Sequence, residues 1–270
     1  MKRIKKTYIP VFVLLVFLLT GGCINSFLYY PVKKINNTPA SINLKFKEYF
    51  FLSSSGNRIH SWWVPSDAPR YTVLFLHGNG GNISHRLMTL KMLHEMNLNV
   101  FIFDYSGYGK SGGIPGEKET YRDADAAWKC LTDDLMITLA SIIIWGRSLG
   151  GAVAVELAAR KKCAALIMES SFSTLEKVVS DHTSPVLRPF GAGGKYRSTD
   201  EIKKVKVPVC IIHSRDDEVI PYYHGKLLFA AAGEPKEFIT IAGSHNRGFY
   251  KSRNWYISKV DKFLNSLGLR

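Results

Sequence analysis

Apolar runs of five or six residues alternate with segments of helical periodicity along most of the chain. The apolar runs are Tyr71–Leu76, Asn99–Phe103, Ser141–Trp145, Cys163–Met168, Val207–Ile212 and Glu237–Ile241. The helical segments are Ile83–Met96, Glu117–Leu131, Leu149–Arg160, Tyr222–Ala232 and Phe249–Leu267. Continuous apolar strands separated by helices are typical of a parallel sheet buried on both faces. We therefore predict an α/β fold with a doubly wound, mostly parallel sheet.

Two segments depart from this alternation. Glu48–Ser53 and Arg58–Val64 flank Ser55-Gly56-Asn57, which predicts an N-terminal antiparallel hairpin. The stretch from 170 to 206 has no clear apolar strand and is long for a connection, which predicts a small lid or insertion. Its apolar residues indicate either an acyl-binding site or ordinary packing; they are Val186, Leu187, Pro189 and Phe190.

The first 22 residues have the pattern of a secretory signal peptide. Four cations within Met1–Lys6 precede the apolar run Tyr8–Leu19, and Thr20-Gly21-Gly22 follows it. That run is about 12 residues, shorter than the ~20 that a membrane-spanning helix needs. The end of the segment resembles a bacterial lipobox, which implies cleavage before Cys23 and lipidation of its thiol. An uncleaved signal-anchor helix is the alternative, since no charged residue lies between 7 and 32.

These features divide the chain into three parts: a signal peptide (residues 1–22), a lipid-anchored tether (23–47) and one folded domain (48–270). The tether is polar and contains Asn36-Asn37 and two prolines. We expect the domain outside the cytoplasm in either case, because the N-terminal cations precede the apolar run.

Composition and charge restrict the class of protein. The 270 residues are 46% apolar and 21% charged, which excludes a wholly disordered chain. The 36 Lys and Arg exceed the 22 Asp and Glu, giving a formal charge of +14, which we interpret mainly as a solvated basic face. Attraction to an anionic membrane is the alternative, because Lys33, Lys34, Lys45 and Lys47 lie near the anchor. No zinc-finger spacing or RNA-binding signature occurs, so we predict no nucleic-acid partner.

Two G-x-S-x-G motifs compete for the role of a nucleophile turn. Such a motif requires a strand before it and a helix directly after it. The motif around Ser148 lies between a predicted strand and a predicted helix, whereas the motif around Ser111 is followed by Pro115-Gly116. The sequence therefore favours Ser148, held by the turn in a strained backbone conformation.

Nucleotide and metal chemistry are not indicated. Gly107–Gly112 reads G-x-G-x-x-G after a strand, but Pro115-Gly116 follows where the helix of a dinucleotide site should begin. A phosphate-binding P-loop would need glycine in place of Asp104. No H-E-x-x-H or C-x-x-C pattern occurs, so we predict no metal and no cofactor. We interpret the remaining cysteines as mostly buried free thiols: Cys130, Cys163 and Cys210.

A serine nucleophile needs a histidine base and a carboxylate that orients the histidine. After a strand–turn–helix motif the expected order is serine, acid, histidine. His245 follows the last strand in a loop and is the candidate base, whereas His213 ends a strand and fits a structural hydrogen bond. The residues alone leave four acids open: Asp216, Asp217, Glu218 and Glu169.

Taken together, these motifs resemble the α/β-hydrolase superfamily over about residues 48 to 268. Within it the chain is similar to membrane-attached serine esterases, depalmitoylases and monoglyceride-lipase-like enzymes. The motifs that carry the resemblance, in family order, are His77-Gly78-Asn79, the Ser148 turn, His213–Pro221 and Gly243-Ser244-His245.

The resemblance implies an α/β-hydrolase fold and specific site residues. It selects Asp217 as the acid, four residues after His213, although Ser214 replaces the usual glycine. It also implies an oxyanion hole formed by the backbone amides of Leu149 and Asn79.

A serine hydrolase is therefore the expected function, cleaving carboxylic ester or thioester bonds through an acyl-enzyme on Ser148. We expect it on an exported, membrane-anchored lipoprotein that acts on a small-molecule or lipid ester and binds no nucleotide. An amidase or peptidase of the same fold and a catalytically silent ligand-binding member are the alternatives.

Overall fold

An eight-stranded sheet forms the centre of the protein, and the computed structural model describes residues 28–183 and 196–268. In spatial order its strands are β10 (Lys236–Ile241), β9 (Val209–Ser214), β8 (Ala165–Glu169), β7 (Ile142–Arg147), β4 (Tyr71–Leu76), β6 (Leu98–Phe103), β3 (Arg58–Val64) and β2 (Lys47–Leu52). A separate pair joins β1 (Tyr30–Pro31) to β5 (Gly80–Gly81).

The strands from β10 to β6 run parallel, and β3 and β2 continue the sheet as an antiparallel hairpin. Every residue of β4, β6, β8 and β9 is buried, as expected for strands covered on both faces. The predicted fold class and hairpin are therefore confirmed. Strands β7, β8 and β9 extend one or two residues beyond the predicted apolar runs, because the backbone ladder continues through polar residues such as Arg147 and Glu169.

Helices cover both faces of the sheet. Within the described residues they are α1 (Leu87–Glu95), α2 (Glu117–Lys129), α3 (Leu149–Ala158), α4 (Leu175–His182), α5 (Ser198–Glu201), α6 (Tyr223–Ala231), α7 (Gly248–Lys251) and α8 (Arg253–Ser266). Short 3₁₀ turns are Pro39–Ile42, Ile83–Arg86, Leu139–Ser141 and Ile202–Lys204, and Cys130–Asp134 forms a π turn. One core cluster packs α2, α3 and α6 on one face of the sheet, and a second packs α1 and α8 on the other.

The N-terminal part of the folded region differs from the tether predicted for it. Residues 28–47 lie against the domain, with Tyr29 and Leu44 buried and the 3₁₀ turn at 39–42. Backbone pairing and a few buried side chains hold this segment. Neither kind of contact produces a periodic pattern of apolar residues, so the sequence of the segment reads as polar. Cys23 and the predicted signal peptide lie outside the described residues.

The predicted lid region contains α4 and α5, and its apolar residues between 184 and 195 lie outside the described residues. No helix in the two described ranges has the length and apolarity needed to span a membrane. The three cysteines after position 28 are buried and free.

Substitution of Gly150 should test the contact between α3 and the sheet. A Cβ at Gly150 would overlap the backbone carbonyl of Leu76, and neither backbone segment can move independently of its element. We expect Gly150→Ala to lower the free energy of unfolding, measured in urea, by about 1–3 kcal/mol or more. Gly233→Ala is the matched control, because its nearest atom is the Val205 oxygen at 4.0 Å, and should change stability by under about 1 kcal/mol. Equal losses in both variants would contradict the close contact.

Candidate active site

Four of the predicted site residues lie at the carboxyl edge of the parallel sheet. Ser148 follows β7, Asp217 follows β9, His245 follows β10 and Asn79 follows β4. Ligands of open α/β sheets bind at this edge, because the loops after neighbouring strands meet there.

Ser148 occupies a tight turn between β7 and α3. Its φ of 54° and ψ of −120° are strained for a residue with a Cβ, at a typical cost of about 1–3 kcal/mol. A Cβ at Gly146 would overlap the carbonyl of Gly150, so both motif glycines are required by the close approach of strand and helix. The turn is held by the Ser148 amide, which donates to Glu169 O at 2.9 Å.

His245 connects the serine to a carboxylate. Its Nε2 lies 3.2 Å from Ser148 Oγ, and its Nδ1 lies 3.0 and 2.8 Å from the two carboxylate oxygens of Asp217. His245 and Asp217 are both 7% exposed, whereas the serine faces the cleft. This geometry allows Nδ1–H to donate to Asp217 and leaves the Nε2 lone pair for the serine hydroxyl.

Asp217 is held in its ionised form. Burial raises its pKa, but hydrogen bonds and charge from His245 and the backbone N–H of Ile220 outweigh burial, so the pKa lies below its ordinary value. The amides of Val219 and Ile220 donate to Oδ1 at 3.0 and 2.7 Å. An ionised carboxylate at this position favours the imidazole tautomer with its proton on Nδ1, and its charge is suited to stabilise an imidazolium.

The other acid candidates have separate contacts. Asp216 Oδ2 accepts the amide of Gly243 at 2.8 Å, and Glu218 Oε2 accepts the amide of His245 at 2.9 Å. Both residues therefore hold the backbone of the histidine loop, a role that sequence reasoning missed. Glu169 accepts the Tyr256 hydroxyl at 2.7 Å, which directs its carboxylate into the core.

His213 supports the acid loop from beneath. Its Nε2 donates to the carbonyl of Ile220 at 2.9 Å, the kind of structural hydrogen bond expected for it. Burial lowers the pKa of His213, so the ring stays neutral.

A second serine–histidine–aspartate contact lies outside the cleft. Ser173 Oγ and His224 Nδ1 are 2.8 Å apart, and His224 Nε2 lies 2.8 Å from Asp181. Ser173 is 1% exposed and its amide also points at His224 Nδ1, so substrate cannot reach its hydroxyl. The contact joins α4 to α6 and is structural.

Ser111, the rival nucleophile, is also structural. It is 2% exposed, donates to Asp104 O at 2.7 Å and accepts the amide of His60 at 2.9 Å. Gly109 in the same loop packs so closely that a Cβ there would overlap the Asp104 carboxylate. The glycines of this segment thus form a tight loop after β6, which is the structure expected if they are not part of a nucleotide-binding site.

The cleft above the serine has a volume of about 850 Å³. Much of its wall is apolar: Phe172, Leu175, Val178, Val179, Val219 and Ile220. Asn79 and Leu149 also line it, and within the described residues neither backbone amide donates a hydrogen bond to another protein group. No cluster of His, Cys, Asp or Glu among those residues is arranged to hold a metal ion.

Comparisons with known proteins agree with this geometry. Over 226 residues the chain is 34% identical to the α/β-hydrolase domain-containing protein WAV2 of Arabidopsis thaliana, covering 75% of this chain and 70% of that protein. It is 38% identical over 197 residues to the human α/β-hydrolase domain-containing protein 17B, covering 72% and 67%. This chain belongs to the α/β-hydrolase family. The family profile described as "Serine aminopeptidase, S33" matches residues 67–191 of the hydrolase.

Solved structures share the fold of the hydrolase. An esterase from Pyrococcus furiosus superposes with a TM-score of 0.74 at 21% identity, covering 88% of this chain and all of that one. An α/β hydrolase from Vibrio vulnificus gives 0.71 at 19% identity, with coverages of 94% and 95%. These structures share the fold, and the relatives at 34% and 38% identity confirm the superfamily identification made from the motifs. Together with the hydrolase family profile, they identify the protein as a hydrolytic enzyme.

Substitution of the acids should separate Asp217 from its neighbour. Asp217→Asn keeps the shape but loses the charge that fixes the His245 tautomer, and the corresponding change in a serine protease lowers kcat by about 10⁴-fold. Asp216→Asn retains an oxygen that can accept the Gly243 amide, so we expect kcat within about threefold of the wild type. Initial rates on p-nitrophenyl butyrate measure both. An active Asp217→Asn protein, or an equal loss in Asp216→Asn, would contradict the assignment.

Proposed function

We propose that the hydrolase is a serine esterase that cleaves carboxylic ester or thioester bonds through an acyl-enzyme on Ser148. The observation that carries the proposal is the contact of Ser148 Oγ with His245 Nε2, together with the two contacts of His245 Nδ1 with Asp217, at the floor of an open cleft. Each group stands at the distance its role requires.

The reaction follows from this arrangement. As Ser148 Oγ attacks the acyl carbon, His245 takes the hydroxyl proton, and the substrate carbonyl becomes an oxyanion. The amides of Asn79 and Leu149 donate to that oxyanion, each contributing about 3–4 kcal/mol of transition-state stabilisation. The tetrahedral intermediate expels the alcohol or thiol, which receives the proton from His245. Water then attacks the acyl-enzyme by the same steps and restores the serine.

The cleft wall supports an acyl chain as the group bound beside the serine. Each methylene removed from water contributes about 0.8 kcal/mol, so an apolar wall favours a medium or long chain over acetate. Lipid esters and small-molecule esters both satisfy this condition.

Peptide hydrolysis is the second candidate, because the matching family profile is described as a serine aminopeptidase. An aminopeptidase must bind a free ammonium group, for which a carboxylate is the natural partner. The described residues that line the cleft include no Asp or Glu, whereas His85, Arg86 and Arg147 are among them. The charge of the cleft therefore favours the ester.

We also propose that the hydrolase is exported and anchored at an acylated Cys23. The basic start, the short apolar run and the small residues before Cys23 support this, and N-terminal cations that precede the apolar run favour a domain outside the cytoplasm. One acyl chain binds a membrane only marginally, so firm anchoring implies more than one chain.

Hydrolysis of p-nitrophenyl esters with acyl chains from two to sixteen carbons tests the esterase proposal. We expect kcat/KM to rise from acetate to a medium or long chain and Ser148→Ala to lower kcat by about 10⁶-fold, the scale known for a triad serine. Labelling by a fluorophosphonate should disappear in the same variant. Turnover of alanine p-nitroanilide in preference to all the esters would instead establish the peptidase.

Ser111→Ala is the control for that experiment. It removes a buried hydroxyl and should lower stability by about 1–3 kcal/mol, with probe labelling retained at a temperature where the protein is folded. Labelling that persists in folded Ser148→Ala protein would refute the nucleophile.

Mass spectrometry of the purified N-terminus tests the anchor. We expect the mature chain to begin at Cys23 carrying acyl groups, and Cys23→Ala to leave an unprocessed, unlabelled precursor. An intact Met1 with unmodified Cys23 in the membrane fraction would establish the signal-anchor alternative.

A further inference from the structure

The first described residues of the chain lie against the proposed oxyanion loop. We call residues 28–32 the strap. Within it, β1 pairs in parallel with β5, with Tyr30 beside Gly80 and Pro31 beside Gly81. The amide of Val32 continues the pairing by donating to Gly81 O at 3.0 Å. The strap thus adds a strand to a loop that belongs to no other sheet.

The side chain of Asn79 is bound by the strap through both of its polar atoms. Its Nδ2 donates to Leu28 O at 2.6 Å, and its Oδ1 accepts the amide of Tyr30 at 3.3 Å. The hydroxyl of Tyr108 donates to the same Oδ1 at 2.9 Å. The side chain therefore fixes the position of its own backbone amide, the group proposed to bind the oxyanion.

The peptide before Asn79 is held from the opposite side. Gly78 O accepts from His77 Nδ1 at 2.7 Å and from Arg86 Nη2 at 3.3 Å, and the same Nη2 contacts Gly80 O. Burial lowers the pKa of His77 to about 4, so the ring is neutral and its Nδ1–H donates. In a trans peptide the N–H points opposite to the C=O, so fixing Gly78 O also fixes the direction of the Asn79 amide.

The strap is itself anchored in the domain near both of its ends. The hydroxyls of Tyr29 and Tyr196 lie 2.7 Å apart in a buried contact, and Val32 O accepts from Asn82 Nδ2 at 2.8 Å and from the amide of Gly109 at 3.0 Å. The strap consequently has fixed partners on both sides of the Asn79 contact.

We propose that the strap is a positioning element of the oxyanion hole, acting through the side chain of Asn79. The inference rests on the proposed esterase function, since it assigns the Asn79 amide to the developing oxyanion. The loop carries Gly78, Gly80 and Gly81, which leave its backbone free to move unless other groups hold it. A displacement of 1 Å at such a site costs about 10²-fold in rate. The strap thereby contributes to catalysis by positioning a group that contacts the substrate.

Asn79→Ala in the full-length protein tests this directly, because it keeps the backbone amide and removes only the contacts to the strap and Tyr108. We expect kcat on the best p-nitrophenyl ester to fall about 10- to 100-fold with KM nearly unchanged. The inhibition constant of an alkyl trifluoromethyl ketone should rise by the same factor. Ser148 Oγ adds to that ketone, its proton passes to His245, and the resulting hemiketal oxyanion depends on the Asn79 amide.

Tyr30→Pro, measured against Tyr30→Ala, tests the strap side, because both variants remove a side chain that lines the cleft and only proline also removes the N–H that donates to Asn79 Oδ1. We expect the same split between kcat and KM, and the double variant should be no slower than the slower single variant, as for residues that act through one contact. Lys33→Met is the matched control: Lys33 Nζ contacts Ser111 O rather than Asn79, so kcat should stay within about twofold.

The outcomes separate the strap from the esterase proposal. No ester turnover by the wild type refutes the esterase function and with it the strap. An active wild type whose Asn79→Ala form keeps its kcat and ketone inhibition refutes the strap alone. A rise in KM at unchanged kcat also refutes it, because Asn79 would then bind the ground state. Fluorophosphonate labelling of each variant shows that the triad is intact.

Discussion

The close approach of helix α3 to strands β4 and β7 is the constraint on which the active site depends. Only glycine at 146 and 150 allows the strand and helix backbones to come this near, and the resulting turn holds Ser148 at a φ of 54°. A strained residue persists only where its surroundings fix it. The buried strands on both sides supply that rigidity, so the packing that stabilises the sheet also holds the strained backbone of Ser148.

Charge at the site is arranged on a short stretch after β9. Three consecutive acids point in different directions: Asp217 to the His245 ring, and Asp216 and Glu218 to backbone amides of the histidine loop. The first contacts the Nδ1 atom of the proposed base, and the other two hold the backbone of its loop. Three adjacent carboxylates that pointed the same way would repel one another. Here each carboxylate points to a different group and accepts hydrogen bonds, which lowers the electrostatic free-energy cost of placing them side by side.

Most of the fold could be predicted from the sequence, and so could the serine and histidine that the structure brings into contact, because both leave local signals. Apolar runs mark the strands, and the glycines around Ser148 mark a turn between strand and helix. Asp217 needed the family resemblance, since no local signal separates it from Asp216; only the loop geometry does. The docking of residues 28–47 left no recognisable signal. Backbone pairing is independent of side-chain type, and the few buried side chains, such as Tyr29 and Leu44, form no periodic pattern in a polar segment that also fits a free tether.

The two sides of the catalytic centre therefore differ in how they are held. The serine, acid and histidine each follow a strand of the parallel sheet, and their positions are set by the ladder beneath them. Asn79 also follows a strand, β4, but three glycines surround it, and a loop of that composition has little rigidity of its own. Its order comes from outside the sheet, through Arg86 on one side and the strap on the other. The proposed oxyanion-hole role of the Asn79 amide requires a donor that does not reorganise during the reaction, so the glycine-rich side of the site is the one that needs added contacts.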